Sequence, residues 1–253
     1  FILLNSQELN MSSDLIIQQD GRILRVQFNR TADNGVSDSM AAALSAAVLQ
    51  AHETSDLVVL SSTGPDFCTG RVRDAGSPPA PEAYARRPEY DSIFNSYKAL
   101  RSCQVPVMGV IEGRCMGFGT AIAALCDVSF ASDQATFNIP EIAHNVMPTM
   151  VMSALYDRMN RNAILWMAYS ADFIDAHQAM SYGIVSRVVT KAHLHSEVQR
   201  FIDVLLSRPR PAILGLKEYL RVAPRMDEQG AIDYARSLHS MVNTAAEMKR
   251  KPH

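Results

Sequence analysis

Cysteine is scarce: the 253-residue chain has four, and none stands in a CxxC pair or at a metal-ligand spacing. That argues against a disulfide framework and against the common zinc patterns, and no metal site is expected. Cys68, Cys103, Cys115 and Cys126 sit among apolar or small residues and read as buried free thiols, which fits a reduced, cytoplasmic compartment. An excess of one charge sign is lacking too. With 24 Lys+Arg against 26 Asp+Glu the formal net charge is −2, so the overall balance suggests no nucleic-acid partner. No apolar run approaches the roughly 20 residues that cross a bilayer, so no membrane partner is expected. The dinucleotide fingerprint GxGxxG and the phosphate loop GxxxxGK followed by Ser or Thr are both missing. So are internal repeats and low-complexity segments. The opening "FILLNSQELN" has neither a basic n-region nor a small-residue cleavage site, which speaks against a secretory signal. Met11 follows it, and residues 1–10 are expected to be an extension or tag outside the fold.

What is present alternates between two periods. "DLIIQQDGRILRVQFNR" predicts a hairpin about Asp20-Gly21. "ADNGVSDSM" supplies a turn and an N-cap at Ser37 or Asp38 for the Ala-rich helix that follows. "DLVVLSS" and "VPVMGVIEG" read as buried strands, separated by a long Gly/Pro/Ser-rich loop, Thr63 to Ala83, and by the helix "YDSIFNSYKALRS". In that helix Ile93, Phe94, Tyr97 and Leu100 form one stripe. "DVSFASDQATFNI" predicts two short strands and "PEIAHNVMP" a turn with some helical character. Beyond Pro148 the chain is almost wholly helical, apart from a short strand in "IVSRVV". Strand–helix alternation followed by helices predicts an α/β layer with a helical C-terminal cap.

Three segments carry candidate chemistry. "GRCMGFGTAIAALCD" places Gly113, Gly117 and Gly119 between a buried strand and an apolar helix. Each glycine costs roughly 0.5–1 kcal/mol inside a helix relative to alanine. Either close packing requires the missing side chains, or a ligand meets bare N–H groups at the positive end of the helix. "FCTGRV", with Gly70 at its turn, lies beyond the preceding strand, and two such turns can aim two N–H groups at one oxygen. In "FNIPEIA", Pro140 fixes the backbone before Glu141, whose carboxylate stands among Phe137, Ile139, Ile142 and Met147. Poor solvation there would raise its pKa and make it a general base; the competing reading is a helix-start glutamate near the dipole.

In this order the three segments resemble the crotonase superfamily, the enoyl-CoA hydratase/isomerase family. "VPVMGVIEGRCMGFGTAIAALCDVSFASDQATFNIPE" is similar to its central signature, and "FCTGRV" to its first oxyanion segment. "SADFIDAHQAMSYGIVSRVV" and "RPRPAILGLKEYL" resemble later segments, so the likeness spans roughly Asp14 to Met248. The resemblance implies an α/β, crotonase-like (ClpP/crotonase) spiral of ββα units over residues 11–190, with the acyl-CoA site. It also implies a helical region over 191–253 that builds homotrimers or homohexamers. The ligand would be an acyl-CoA thioester, with coenzyme A arriving as part of the substrate and no further cofactor. Its carbonyl would accept from the backbone N–H groups of Arg71 and Phe118, held by Gly70 and Gly117. Glu141 would be the catalytic base. His144 and Lys217 would contribute to substrate binding, Lys217 toward the adenine end.

The departures bear on the reaction. Hydratases of this family carry a second glutamate at the position of Ala121, and Phe118 stands where glycine is usual. Arg71 and Arg73 replace an alanine and a hydrophobic or acidic residue. The Arg71 side chain reads either as a contact to CoA phosphates or a polar acyl group, or as a solvated charge. Arg86 and Arg87 could likewise meet the phosphates, and His239 or Tyr97 the acyl group, or they could simply face solvent and core. Moving a double bond needs one base, whereas adding water works best with two carboxylates. The expected function is therefore an enoyl-CoA isomerase with one glutamate. The alternatives are a hydratase or hydratase–lyase, in which His144 or a fixed water replaces the missing carboxylate, and a non-catalytic acyl-CoA-binding relative.

Overall fold

The predicted hairpin forms at its predicted turn. In this computed structural model, which describes residues 14–30, 33–72 and 81–249, β1 (Leu15–Asp20) and β2 (Ile23–Phe28) pair antiparallel, with Asp20 opposite Ile23. Gly21 turns the chain at φ +56°. The expected extension 1–10, Arg73 and part of the long loop lie outside the described residues. Ser37 caps α1 (Asp38–Thr54): its Oγ accepts from the Met40 N–H at 3.2 Å. Then come β3 (Leu57–Ser62), α2 (Asp91–Ser102), β4 (Val107–Ile111), β5 (Arg114–Met116) and α3 (Phe118–Leu125). β6 (Val128–Ser132) and β7 (Thr136–Asn138) lead into a 3-10 turn, Glu141–His144. The remainder is α4 (Thr149–Leu155), α5 (Arg161–Ser170), β8 (Ile174–Asp175), α6 (Ala176–Ser181), β9 (Arg187–Val189), α7 (Leu194–Leu206), α8 (Arg210–Val222) and α9 (Glu228–Asn243).

The strands separate into two sheets. One runs β1-β2-β3-β4-β6-β9, parallel from β2 onward; the other runs β5-β7-β8. Two successive turns of the chain lay a strand in the large sheet and then one in the small sheet before a helix or helical turn. β4-β5-α3 is followed in this way by β6-β7 and the Glu141 turn, which is the expected ββα spiral. Two expectations need correction. Arg114–Met116, read as part of a helix entrance, is a strand, because its backbone pairs with β7. Phe94 is not in the core stripe with Ile93, Tyr97 and Leu100; it is 40% exposed and lines a cleft.

One face of the large sheet packs against α1, α2 and α3, with Phe28 and Phe67 edge to face at 5.5 Å. The other face, formed by Val59, Met108, Val110 and Phe130, is covered by Leu194, Val198 and Ile202 of α7. Thus α7, although within 191–253, completes the spiral's core, while α8 and α9 bury no residue fully. Among the described residues no helix is long and apolar enough to cross a membrane. All four cysteines are free and buried, and burial pushes the Cys68 and Cys126 thiols up to about 12.

The first turn of α3 lies against the Cys68 backbone. A Cβ on Gly119 would stand 2.6 Å from the Cys68 carbonyl oxygen and 2.9 Å from its Cβ. Gly119→Ala is therefore expected to destabilise the fold by about 1–3 kcal/mol despite alanine's better helix propensity. Denaturant unfolding checks this: a gain in stability would show that the contact relaxes freely.

Candidate active site

The first candidate segment lies alongside β5 as an added strand. The Phe67 and Cys68 N–H groups donate to the Arg114 carbonyl at 3.1 and 3.2 Å, and the Met116 N–H donates to the Cys68 carbonyl at 2.8 Å. Asp66 clamps the pair: its carboxylate accepts from the Arg114 N–H (2.9 Å) and from the Arg114 guanidinium (2.7 Å). The chain then turns at Gly70, φ +112°, and meets Val36. The Val36 N–H donates to the Gly70 carbonyl (2.8 Å), and the Val72 N–H to the Val36 carbonyl (2.9 Å). Because strand groups alternate sides, the Arg71 N–H faces away from Val36, and among the described residues it meets no acceptor.

The second donor comes from the start of α3. Gly117 (φ +50°) precedes the helix and gives its own N–H to the Asn138 carbonyl at 3.1 Å. The Phe118 N–H, one of the first-turn donors that a helix leaves unpaired, has no acceptor among the described residues. All eight residues of α3 are buried, so water does not solvate this helix end freely. The opening glycines therefore serve both readings. Gly119 allows the close packing, and Gly113 does so against Pro65; Gly117 leaves room for a functional group.

That group is Glu141. A Cβ on Gly117 would lie 2.6 Å from Glu141 Oε1, so the carboxyl occupies the space beside the residue that precedes the Phe118 donor. Glu141 Oε2 is buried without a hydrogen-bond partner. Burial pushes the carboxyl above its ordinary pKa; its own backbone N–H and the charge of His144 pull the other way. Its turn is closed by Asn145 in the left-handed region (φ +57°), with the Val146 N–H donating to the Glu141 carbonyl at 3.0 Å. The Phe118 N–H, beside a poorly solvated carboxyl, is a donor of the kind that meets developing negative charge.

The remaining candidates are sorted by their partners. His144 shares the Glu141 turn and is exposed. The Arg71 guanidinium is held by Asp38 (3.0 and 2.8 Å) and the Glu89 carbonyl (2.8 Å), 5.7 Å from the Tyr90 ring centroid. Its side chain thus anchors the segment to α1, and neither a phosphate contact nor a solvated charge describes it. Lys217, expected toward the adenine end of the ligand, is engaged within the chain. Its ammonium donates to Asp127 and to the Val105 carbonyl, both at 2.6 Å. These residues precede β6 and β4, whereas the donors follow the opposite ends of β3 and β4. Arg86 and Arg87 lie in an exposed turn, Arg87 over the Tyr84 ring, and His239 lines a groove between α8 and α9. Asp66 and Asn145 carry no motif in the sequence, and Asp38 is a candidate there only as an N-cap. The pairing of Asp66 with Arg114 spans 48 residues, so spacing gives no sign of it. Among the described residues no group of three His, Cys, Asp or Glu could hold a metal ion.

A spiral of ββα units that presents paired backbone donors and a buried carboxylate defines a class of oxyanion-stabilising proteins. The chain belongs to the enoyl-CoA hydratase/isomerase family, whose model matches residues 18–253. It is 25% identical over 212 residues to mouse (Mus musculus) enoyl-CoA hydratase domain-containing protein 3, mitochondrial, covering 82% of this chain and 70% of that one. Its fold is similar to that of a Mycobacterium smegmatis enoyl-CoA hydratase, with TM-score 0.85 and 24% identity over 95% of this chain and 98% of that one. A Thermobifida fusca protein crystallised in complex with acetoacetyl-CoA has TM-score 0.80 and 24% identity, covering 90% of this chain and 94% of that one.

The raised carboxyl pKa of Glu141 has a definite sign. A base acts as carboxylate, so kcat/KM should rise with pH through a midpoint above the usual glutamate value of about 4.3. The same shift means that ionising Glu141 costs stability as pH rises through that midpoint, and Glu141→Gln should remove the cost. Proton titration by NMR and unfolding at pH 4 and pH 7 check this; a midpoint below the usual value would mean that the carboxylate is paired.

Proposed function

We propose that the protein is an acyl-CoA enzyme that moves a carbon–carbon double bond, an enoyl-CoA isomerase with Glu141 as its single base. The observation that carries the reading is the lone carboxylate. Glu141 stands beside the Phe118 donor with Oε2 unpartnered, and one turn along α3 the fully buried Ala121 offers no second proton carrier. Family membership and the fold shared with the acetoacetyl-CoA complex support a thioester as ligand.

The thioester oxygen accepts from the Arg71 and Phe118 N–H groups, which makes the neighbouring C–H acidic. Glu141 takes a proton from C2 of a 3-enoyl ester, the electron pair delocalises onto the thioester oxygen, and the same carboxyl returns the proton at C4. Each backbone donor contributes on the order of 2.7–4 kcal/mol to barrier lowering. Coenzyme A enters as part of the substrate, with no further cofactor. The exposed apolar residues Leu216 and Leu220 of α8 and Ile232 and Met241 of α9 support assembly as a homotrimer or homohexamer.

In ¹⁸O-water, 3-enoyl-CoA should give 2-enoyl-CoA without label. Glu141→Gln should lower kcat by about 10²–10⁴ while leaving ester affinity within threefold. Mass spectrometry of the product checks both; a labelled 3-hydroxyacyl product or a fully active Gln variant would overturn the reading.

A further inference from the structure

The peptide that joins Gly70 to Arg71 is gripped from two directions, and both grips come from residues 36–38. The first is on the backbone. The Gly70 carbonyl accepts from the Val36 N–H at 2.8 Å. In a trans peptide the N–H points away from the carbonyl across one rigid plane, so this bond also aims the Arg71 N–H. It polarises the plane as well, which makes that N–H a stronger donor. Beyond Arg71 the Val72 N–H donates to the Val36 carbonyl at 2.9 Å.

The second grip is on the side chain. Asp38, two residues past Val36, accepts from Nε and Nη2 of Arg71 at 3.0 and 2.8 Å, so two forks meet face to face. The Arg71 side chain is 14% exposed, and this carboxylate is the acid it pairs with. Nη2 also donates to the Glu89 carbonyl at 2.8 Å, in the 3-10 turn Arg87–Tyr90 that leads into α2. Ser92 Oγ, in the first turn of α2, donates to Asp38 Oδ1 at 2.7 Å. Asp38 is not needed as the cap of α1, because Ser37 fills that place. The restraint matters because Gly70, at φ +112°, has no Cβ to limit its torsions. Further along α2, the Tyr97 ring stacks on Phe118, with centroids 5.6 Å apart. One helix therefore braces the side chains of Arg71 and Phe118 alike.

We propose that Asp38 is a positioning residue. Through the Arg71 guanidinium it holds the Gly70–Arg71 peptide plane, so that the Arg71 N–H keeps its direction when a thioester carbonyl arrives. This rests on the reading of the Arg71 N–H as an oxyanion donor. Without the carboxylate, a partly buried guanidinium loses its counter-charge and turns to solvent. Two backbone bonds beside a glycine are then all that orients the donor.

The experiment uses butyryl-CoA labelled with ¹³C at the thioester carbonyl, a saturated ester that has no double bond to move. Infrared spectroscopy of the bound ester reads the hydrogen bonding of its carbonyl, and deuterium exchange at C2 reads enolate formation. In the wild type the carbonyl band should lie below that of the free ester. In Asp38→Asn it should move part of the way back, exchange should slow about tenfold, and ester affinity should stay within about threefold. Arg71→Met keeps the N–H and loses the guanidinium, so it should match Asp38→Asn, and the double variant should be no worse than either. Asp38→Glu keeps the charge and should recover part of the exchange rate. A carboxylate that only supports the fold would lower Tm and leave the band in place, which overturns the proposal, as do additive effects in the double variant. Should Asp38→Asn not fold, Arg71→Met carries the same test, with an unmoved band as the refuting result. A wild-type band that is not lowered overturns the donor reading and the proposal with it; a lowered band that the variants leave unchanged overturns the proposal alone.

Discussion

The backbone of Gly117–Gly119 approaches Cys68 and Glu141 more closely than any side chain at those positions would permit, and the site is built around that approach. It draws the segment after β3 alongside β5, with Asp66 held to Arg114 across 48 residues. The Asp66–Arg114 clamp and the Asn34 side chain, which donates to the Thr63 and Asp66 carbonyls at 2.6 and 2.7 Å, hold the first loop in register. The arrangement leaves polar groups unmatched. Each buried donor or acceptor without a partner costs about 1–3 kcal/mol, and here they collect around one helix start. A core of this size tolerates the cost, and a bound ligand relieves it.

Charge is arranged to leave that spot to backbone dipoles. Arg71, whose N–H is one of the donors, has its guanidinium turned to Asp38 and Glu89; Lys217 is closed against Asp127 at the far edge of the sheet. Among the described residues no Lys or Arg is paired with the Glu141 carboxylate, and desolvation outweighs the charge of His144 in setting its proton affinity. A guanidinium beside it would hold it ionised but weaken it as a base. In the proposed reaction the oxyanion would meet oriented N–H groups, which are fixed beforehand and need no reorganisation.

Much of this was legible from local pattern. The Asp20-Gly21 hairpin, the Ser37 cap and the β3, β4 and β6 strands follow from turn chemistry and hydrophobic runs, because short-range forces decide them. The Gly70, Gly117 and Glu141 segments were legible as a set, each with a local reason to expose a backbone or a carboxyl. What stayed hidden depends on distant partners. β5 looks like a helix entrance until β7 is beside it, and nothing near Lys217 in sequence announces Asp127, 90 residues away, which accepts its hydrogen bond. Phe94 shares the helical stripe of Ile93 and Tyr97, but lies where α2 runs out of neighbours. Periodicity records which side of a helix is apolar; it does not record how far the covering layer extends.

The single carboxylate gives the site its chemical direction. On α3, Phe118 and Ala121 are three residues apart and share one face, and both are buried. The Phe118 ring is stacked on Tyr97. A charge at Ala121, which is fully buried, would be desolvated, and the low dielectric makes that costly. Glu141 stands on an exposed turn with its carboxyl reaching in past a glycine, and it carries the cost of burial as a raised pKa. Its turn is closed by backbone hydrogen bonds and a left-handed Asn145 rather than by a salt bridge that would fix one ionisation state. The proposed single-base reaction uses this carboxyl alone to carry the proton both ways.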